Sequence, residues 1–388
     1  MCDRSLVFPA SEYRQRVERL QSSMSQHGVD ALLLTSPADV FYVTGFLTRF
    51  WESPARPWYV VVPGGGAPIA VIPSIGAGLM GRTWVRDIRT WDAPDPRDDG
   101  IGLLRDALTE VVPDRGTIGV PMGLETHVRM PMADYTRLAK CLDRRDIQDG
   151  TACIQRVREV KSEAEMEKLR TSCSIAGRAF GRIGEVARAG RSLNAVARDF
   201  QIACLEEGAD WVSYVAAAAG PGGYEDVISP PDERPLKQGD VLMIDTGAVR
   251  DGYYCDFDRN FSIGPASEAV ERTYAALWQA TDAVLHSLRP GIRASDLHAM
   301  LRAALRRHGA EPGGGRLGHG LGTTLTEWPS LTPLDDTVLR PGMVLTLEPS
   351  AVLGAGRLMV HEENLVLRET GAELLSPRAP ATIPDILP

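Results

Sequence analysis

The stretch Val241–Gly264, VLMIDTGAVRDGYYCDFDRNFSIG, constrains this chain more than any other. Its apolar run Val241–Ile244 reads as a buried strand with Asp245 at its end. Asp251–Gly252 reads as a hairpin turn. The run after it, Tyr253–Phe261, carries Asp256 and Asp258 inside an otherwise apolar strand pattern. A carboxylate desolvated in such a strand must be paired or bound to a cation. Carboxylates on neighbouring strands repel one another unless a cation lies between them. The stretch therefore predicts a hairpin built around metal.

The remaining donors lie downstream. His319 stands in the glycine-rich turn Gly318–Gly322, where backbone can approach an ion closely. Glu348 ends the apolar run Leu345–Leu347, and Glu362 is buried in the strand pattern Met359–Leu367. Two aspartates, one histidine and two glutamates make a hard, oxygen-rich set. It suits a pair of Mn, Fe, Co or Zn ions better than a structural zinc site.

In this order the residues resemble the superfamily of methionine aminopeptidases, prolidases (Xaa-Pro peptidases) and creatinases, with its pita-bread catalytic domain. Asp245 and Asp256 meet its pattern of two aspartates eleven residues apart. His319 meets its glycine-flanked histidine, Glu348 its Leu-Glu-Pro glutamate and Glu362 its last glutamate. The resemblance implies two divalent ions: Asp245 chelates the first, Asp256 and Glu362 bridge both, and His319 and Glu348 serve the second. It also implies a metal-dependent hydrolase of the Xaa-Pro dipeptidase or aminopeptidase kind, cleaving a C–N bond in a dipeptide or small amino-acid-like substrate, and a homodimer.

A length of 388 residues suits two domains. Helix-like and strand-like segments alternate up to Asp149–Gly150, so residues 1–150 read as an α/β domain, resembling the creatinase and prolidase amino-terminal domain. Ser11–His27 reads as a helix with Ser11 as its cap. Phe41–Phe46, Trp58–Val62 and Ile69–Ile72 read as strands, the last two joined by Gly64–Gly66. Residues 151–388 read as the pita-bread α+β catalytic domain. It opens on Arg158–Glu165 with Ser162 and Glu165 as a capping box, and two helix pairs each precede paired strands. A net charge of −9 excludes a general nucleic-acid binder. No apolar run reaches the roughly 20 residues of a membrane span. The first residues lack a signal-peptide core, and the six cysteines show no paired spacing, which together predict a cytoplasmic chain with reduced thiols. Cys255 reads as a bystander on the opposite face from Asp256.

Three departures from the family pattern bear on chemistry. Asp258 replaces the usual Thr or Ser of D-x-T-R and shares a face with Asp256 by strand alternation, as a base, an added ligand or the partner of Arg259. Thr326, beside Glu327, stands where the family's peptidases carry a histidine seven residues after the metal histidine. No histidine lies between Trp211 and Asp245, where they carry another. Such imidazoles move protons, so their absence points away from ordinary peptide hydrolysis. Asp258, Thr326 and Glu327 are the catalytic candidates. Arg56, at the place of a creatinase substrate-binding arginine, joins Trp51, Trp328 and Tyr224 as substrate-binding candidates. Two other readings follow from relatives of this kind: a metal-dependent lyase acting on a zwitterion such as dimethylsulfoniopropionate, and a metal-free binding module. Retention of all five ligands weighs against the second.

Overall fold

A computed structural model describes residues 6–53, 57–354 and 356–387. They form two compact units, Met1–Arg158 and Glu159–Pro388. The division falls after Arg158 rather than near Gly150, because Thr151–Arg158 is a helix that packs against helix Ala10–Gln26 of the first unit. Arg158 is tied there by a buried ion pair to Asp39 at 2.7 Å.

The first unit holds a six-stranded sheet: β1 (Ala31–Leu34), β2 (Tyr59–Pro63), β3 (Ile69–Pro73), β4 (Asp87–Trp91), β5 (Thr117–Val120) and β6 (Asp146–Asp149), in the order β4-β3-β2-β1-β5-β6. Strands β1 to β3 are buried throughout, which is why they read as continuous apolar runs. Two local readings differ. The first helix begins at Ala10 with Pro9 as its cap, not Ser11. Phe41–Phe46 is not a strand: Pro37–Thr44 is a helix, capped by the Ser36 hydroxyl accepting from the Asp39 N–H at 3.2 Å and stopped by Gly45 at φ 79°. A short apolar run is ambiguous by period alone, and here the Ser-Pro start decided for helix.

In the second unit the Ser162–Glu165 capping box opens helix Glu163–Gly181, followed by helix Leu193–Glu206. Then come β7 (Trp211–Pro221), β8 (Asp240–Arg250), β9 (Tyr253–Tyr254) and β10 (Phe257–Ile263). Helices Glu268–Ser287 and Ala294–Arg307 lead to β11 (Glu311–Pro312), β12 (His319–Gly320), β13 (Glu327–Ser330), β14 (Val344–Leu347), β15 (Ser350–Gly354), β16 (Arg357–Val360), β17 (Glu363–Arg368), β18 (Gly371–Leu374) and β19 (Asp385–Ile386). The strand orders are β19-β10-β8-β7, β13-β12-β14-β17-β18 and β11-β15-β16. Each half thus runs two helices and then antiparallel strands, the repeat expected from the order of elements. Asp251 and Gly252 both take positive φ, 55° and 81°, as a tight hairpin turn requires. Among the described residues no helix is long and apolar enough to cross a membrane.

Candidate metal centre

Two of the three sheets of the second unit each bring part of one cluster. Asp245 lies within β8, not at its end, and faces Asp258 of β10 as its direct cross-strand partner. Asp256 falls in the break between β9 and β10. There its N–H donates to Asn364 Oδ1 at 3.0 Å and its carbonyl accepts from Asn364 Nδ2, so a side chain replaces the strand ladder. Glu362 stands in the matching break between β16 and β17, and Glu348 follows β14 directly. His319 is in a short strand rather than a turn, between β13 and β14. Its flanking glycines serve that packing: a Cβ on Gly318 would collide with the Thr346 carbonyl, and one on Gly320 with the Trp328 carbonyl.

Asp256, His319 and Glu362 each present a donor atom within 4.8 Å of the other two, and all three residues are buried. His319 Nδ1 lies 2.8 Å from the Gly320 carbonyl, to which it donates, leaving Nε2 to face the carboxylates. Nε2 stands 3.2 Å from Asp256 Oδ2 and 3.9 Å from Glu348 Oε1. Asp245 joins through Tyr214, whose hydroxyl is 2.9 Å from Asp245 Oδ1 and also bonds Asp256. Three of the five residues expected from the sequence, Asp256, His319 and Glu362, therefore close on one another, with Glu348 beside His319 and Asp245 linked through Tyr214.

Charge and hydrogen bonding both ask for a cation here. Desolvation raises the carboxyl pKa of Asp245 and Glu362 well above the ordinary range, and the charge of Asp256 adds to it in both. Glu348 is raised chiefly by desolvation too, against the pull of His319. For His319, burial favours the neutral ring, but the hydrogen bond and charge of Asp256, then Glu348, outweigh it and leave the pKa above the usual histidine value. Glu362 Oε1 and Asp258 Oδ1 are buried with no hydrogen-bond partner among the described residues. Orphaned oxygens of this kind cost free energy unless an ion or water meets them. Four carboxylates and one imidazole fit a divalent Mn, Fe, Co or Zn ion.

The other sequence candidates separate. Asp258 stays with the cluster: Oδ2 accepts from Asn260 Nδ2 at 2.8 Å, and burial, partly countered by Arg259, pushes its pKa up to about 7. Glu327 is committed elsewhere, its carboxylate 3.2 Å from buried Lys161 Nζ and accepting the Thr323 N–H at 2.8 Å. It holds the loop before β13 rather than offering an acid to a substrate. Thr326 is half-buried in that loop, with its carbonyl accepting from the Thr324 hydroxyl at 2.9 Å. Trp328 is buried in β13. Tyr224 is a core residue, donating to Asn260 Oδ1 at 3.0 Å and accepting the Val360 N–H at 2.7 Å, so its hydroxyl is not presented to a substrate. Trp51 belongs to the first unit, packed edge-on to Phe46 and Trp58, with Arg129 as its cation at 5.5 Å. Arg56 lies outside the described residues. Cys255 is buried, with Sγ directed at the Thr246 carbonyl at 4.0 Å.

Sequence reasoning missed Tyr214, Asn364 and Arg316, the last 3.4 Å from Glu348 Oε1. A search limited to histidines passes over Tyr214. Its face was also hidden, because the register of β7 on β8 shifts between Val212 and Val215.

Residues 167–369 match metallopeptidase family M24, and residues 16–160 match the Creatinase/Prolidase N-terminal domain. The chain belongs to metallopeptidase family M24. As a member it is a metal-dependent hydrolase with a creatinase-like amino-terminal domain and a pita-bread catalytic domain. A probable dipeptidase PepE of Mycobacterium tuberculosis is 30% identical over 94% of both chains. An Xaa-Pro dipeptidase of Pyrococcus horikoshii is 24% identical over 93% of this chain and 97% of its own. The crystal structure of dipeptidase PepE from Mycobacterium ulcerans superposes with a TM-score of 0.84 at 27% identity, covering 98% of this chain and 99% of that one.

The raised carboxyl pKa values give this family member a testable pH signature. A carboxyl whose folded pKa exceeds its unfolded value contributes stability that is full below the unfolded pKa and lost as pH rises through the folded one. For Asp258 that window runs from the ordinary 3.8 to about 7. In metal-free protein, the stability of wild type relative to Asp258→Asn should therefore fall as pH rises across it, with a slope of roughly 1.4 kcal/mol per pH unit at most. Denaturant titrations at pH 4, 5.5 and 7 read the difference, and a flat or rising difference refutes the assignment.

Proposed function

We propose that this chain is a dinuclear metal-dependent dipeptidase-type hydrolase, cleaving the amide bond of a dipeptide or of a small amino-acid-like substrate. The observation that supports the reading is the buried group Asp256, His319 and Glu362, with Glu348 beside His319 and Asp245 linked to it through Tyr214. Asp256 and Glu362 would serve both ions, Asp245 one of them, and His319 and Glu348 the other. When bound, the ions supply an acidified water and polarise the amide carbonyl. Asp258 is assigned proton transfer to the leaving amine, since Thr326 cannot exchange a proton near neutral pH. Tyr214 holds Asp245 and Asp256 in register, through one hydroxyl touching both.

Within this reading, small substrates are favoured over long peptides. Thr326 stands at the family's histidine position, and no imidazole lies between Trp211 and Asp245. The dipeptidase names of its relatives support a dipeptide first. No comparison favours the lyase reading. A homodimer is part of the proposal.

The test is a substrate panel on protein reloaded with Mn, Co or Zn: Xaa-Pro and other dipeptides, amidines related to creatine, a sulfoniopropionate and a decapeptide. Dipeptide turnover should exceed decapeptide turnover. Equal rates on the decapeptide overturn the small-substrate reading, and turnover of the sulfoniopropionate alone replaces hydrolysis by elimination.

A further inference from the structure

Behind the carboxylates lies a buried charged group that the chemistry above does not use. Arg259 Nη1 donates to two carbonyls at once, that of Asp258 at 2.6 Å and that of Glu362 at 2.7 Å. Its Nη2 donates to Glu363 Oε2 at 3.0 Å and to the Pro377 carbonyl. Glu363 is fully buried. Oε2 also accepts from the Ser376 hydroxyl, while Oε1 accepts from Arg378 Nη1 and the Ala379 N–H, each at 2.9 Å. Arg378 is itself pinned, donating to His361 Nε2 at 2.8 Å and lying 4.6 Å over the Trp278 ring.

We propose that Arg259 is a positioning residue for the metal centre, and that the carboxy-terminal segment Ser376–Ala379 sets it through Glu363. One guanidinium nitrogen joins the peptide of Asp258, on β10, to that of Glu362, beside β17. Those strands belong to different sheets, and the donors Asp256 and Glu362 hang from the two segments so joined. A metal tolerates ligand distances only within about 0.2 Å. A slip between the segments would therefore open the cluster without unfolding either sheet. The rigid planar fork of arginine is what holds two carbonyls and a carboxylate together. A lysine would keep the charge and lose the fork.

The inference rests on the ligand set proposed above, and the experiment separates the two. Cobalt(II) affinity, by chelator competition, and the visible absorption of the cobalt-loaded full-length protein are compared across Arg259→Lys, Glu363→Gln and Arg378→Ala. In Glu363→Gln either orientation of the amide points its NH₂ at a donor pair. Asp39→Asn, which breaks the buried ion pair to Arg158 in the other unit, controls for general destabilisation. Arg259→Lys and Glu363→Gln should weaken cobalt binding roughly 10–100-fold, the range for groups that orient metal ligands, and shift the absorption bands. Arg378→Ala should do so to a smaller extent, and it still tests the link to the tail if Glu363→Gln does not fold. Asp39→Asn should change melting temperature alone. Folded Arg259→Lys with wild-type affinity and spectrum overturns the inference, as does an equal change in Asp39→Asn. Wild type that takes up no cobalt overturns the ligand set and the inference with it.

Discussion

Asp256→Ala should give a folded, metal-poor protein without measurable turnover. Asp256 is the hub of the cluster: its carboxylate faces His319 Nε2 at 3.2 Å, bonds Tyr214, and shares one candidate ion site with His319 and Glu362. It is one of the two ligands proposed to serve both ions. Removing it cuts into both sites, whereas removing Asp245 or Glu348 cuts into one. Loss of the ions returns the attacking water from a pKa near 7 toward 15.7, which removes nearly all hydroxide at neutral pH. The fold should survive, because the backbone of Asp256 is held by Asn364 and not by its own side chain. Its removal also relieves charge repulsion on Asp245 and Glu362 in the metal-free state. The measurement is metal content by elemental analysis beside dipeptide turnover and the thermal midpoint. Full activity in a variant holding no metal would end the metal-centre reading.

Why the five candidate ligands are legible while their supports are not follows from how each signal is written. Asp245, Asp256 and Glu362 stand out because a charge amid Val, Ile, Leu and Phe contradicts the apolar pattern around it. His319 stands out through glycines whose reason is steric, since neighbouring carbonyls fill the space a Cβ would take. Arg259 and Glu363 carry the same kind of contradiction, but they satisfy each other at 3.0 Å. A buried pair looks, in sequence, like two more charges near a site. Glu327 misled for the mirror-image reason: its position beside Thr326 suggested chemistry, and its partner Lys161 lies far off in sequence. Tyr224 read as a substrate contact although Asn260 and Val360 occupy its hydroxyl. The fold shows the same division. Long amphipathic helices and the Asp251–Gly252 hairpin are local, so they could be placed. Helix Pro37–Thr44 was lost because all but its first residue are buried, which erases the periodicity that marks a helix.

Asp258→Asn is expected to lower dipeptide turnover by roughly 10²–10⁴-fold, the span attributed to a general acid or base, with metal content unchanged. The position argues for proton transfer over simple support. Asp258 Oδ2 is taken by Asn260, whereas Oδ1 is buried and has no partner among the described residues. It faces Asp245 directly across the strand pair. Its charge also acts on Glu362. Yet it is not among the five residues proposed as ligands. A carboxylate beside the ions but outside that set can accept a proton from the water and return it to the leaving amine. Nearby cations would draw its pKa down from about 7, toward the value a base needs to be ionised at neutral pH. Asparagine keeps the size and the acceptor oxygen for Asn260 and removes the titratable carboxyl group. Loss of turnover with both ions retained therefore isolates the proton-transfer role. Loss of turnover together with one ion would make Asp258 a ligand instead, and unchanged turnover would remove it from the mechanism, leaving leaving-group protonation to be sought elsewhere in the cluster.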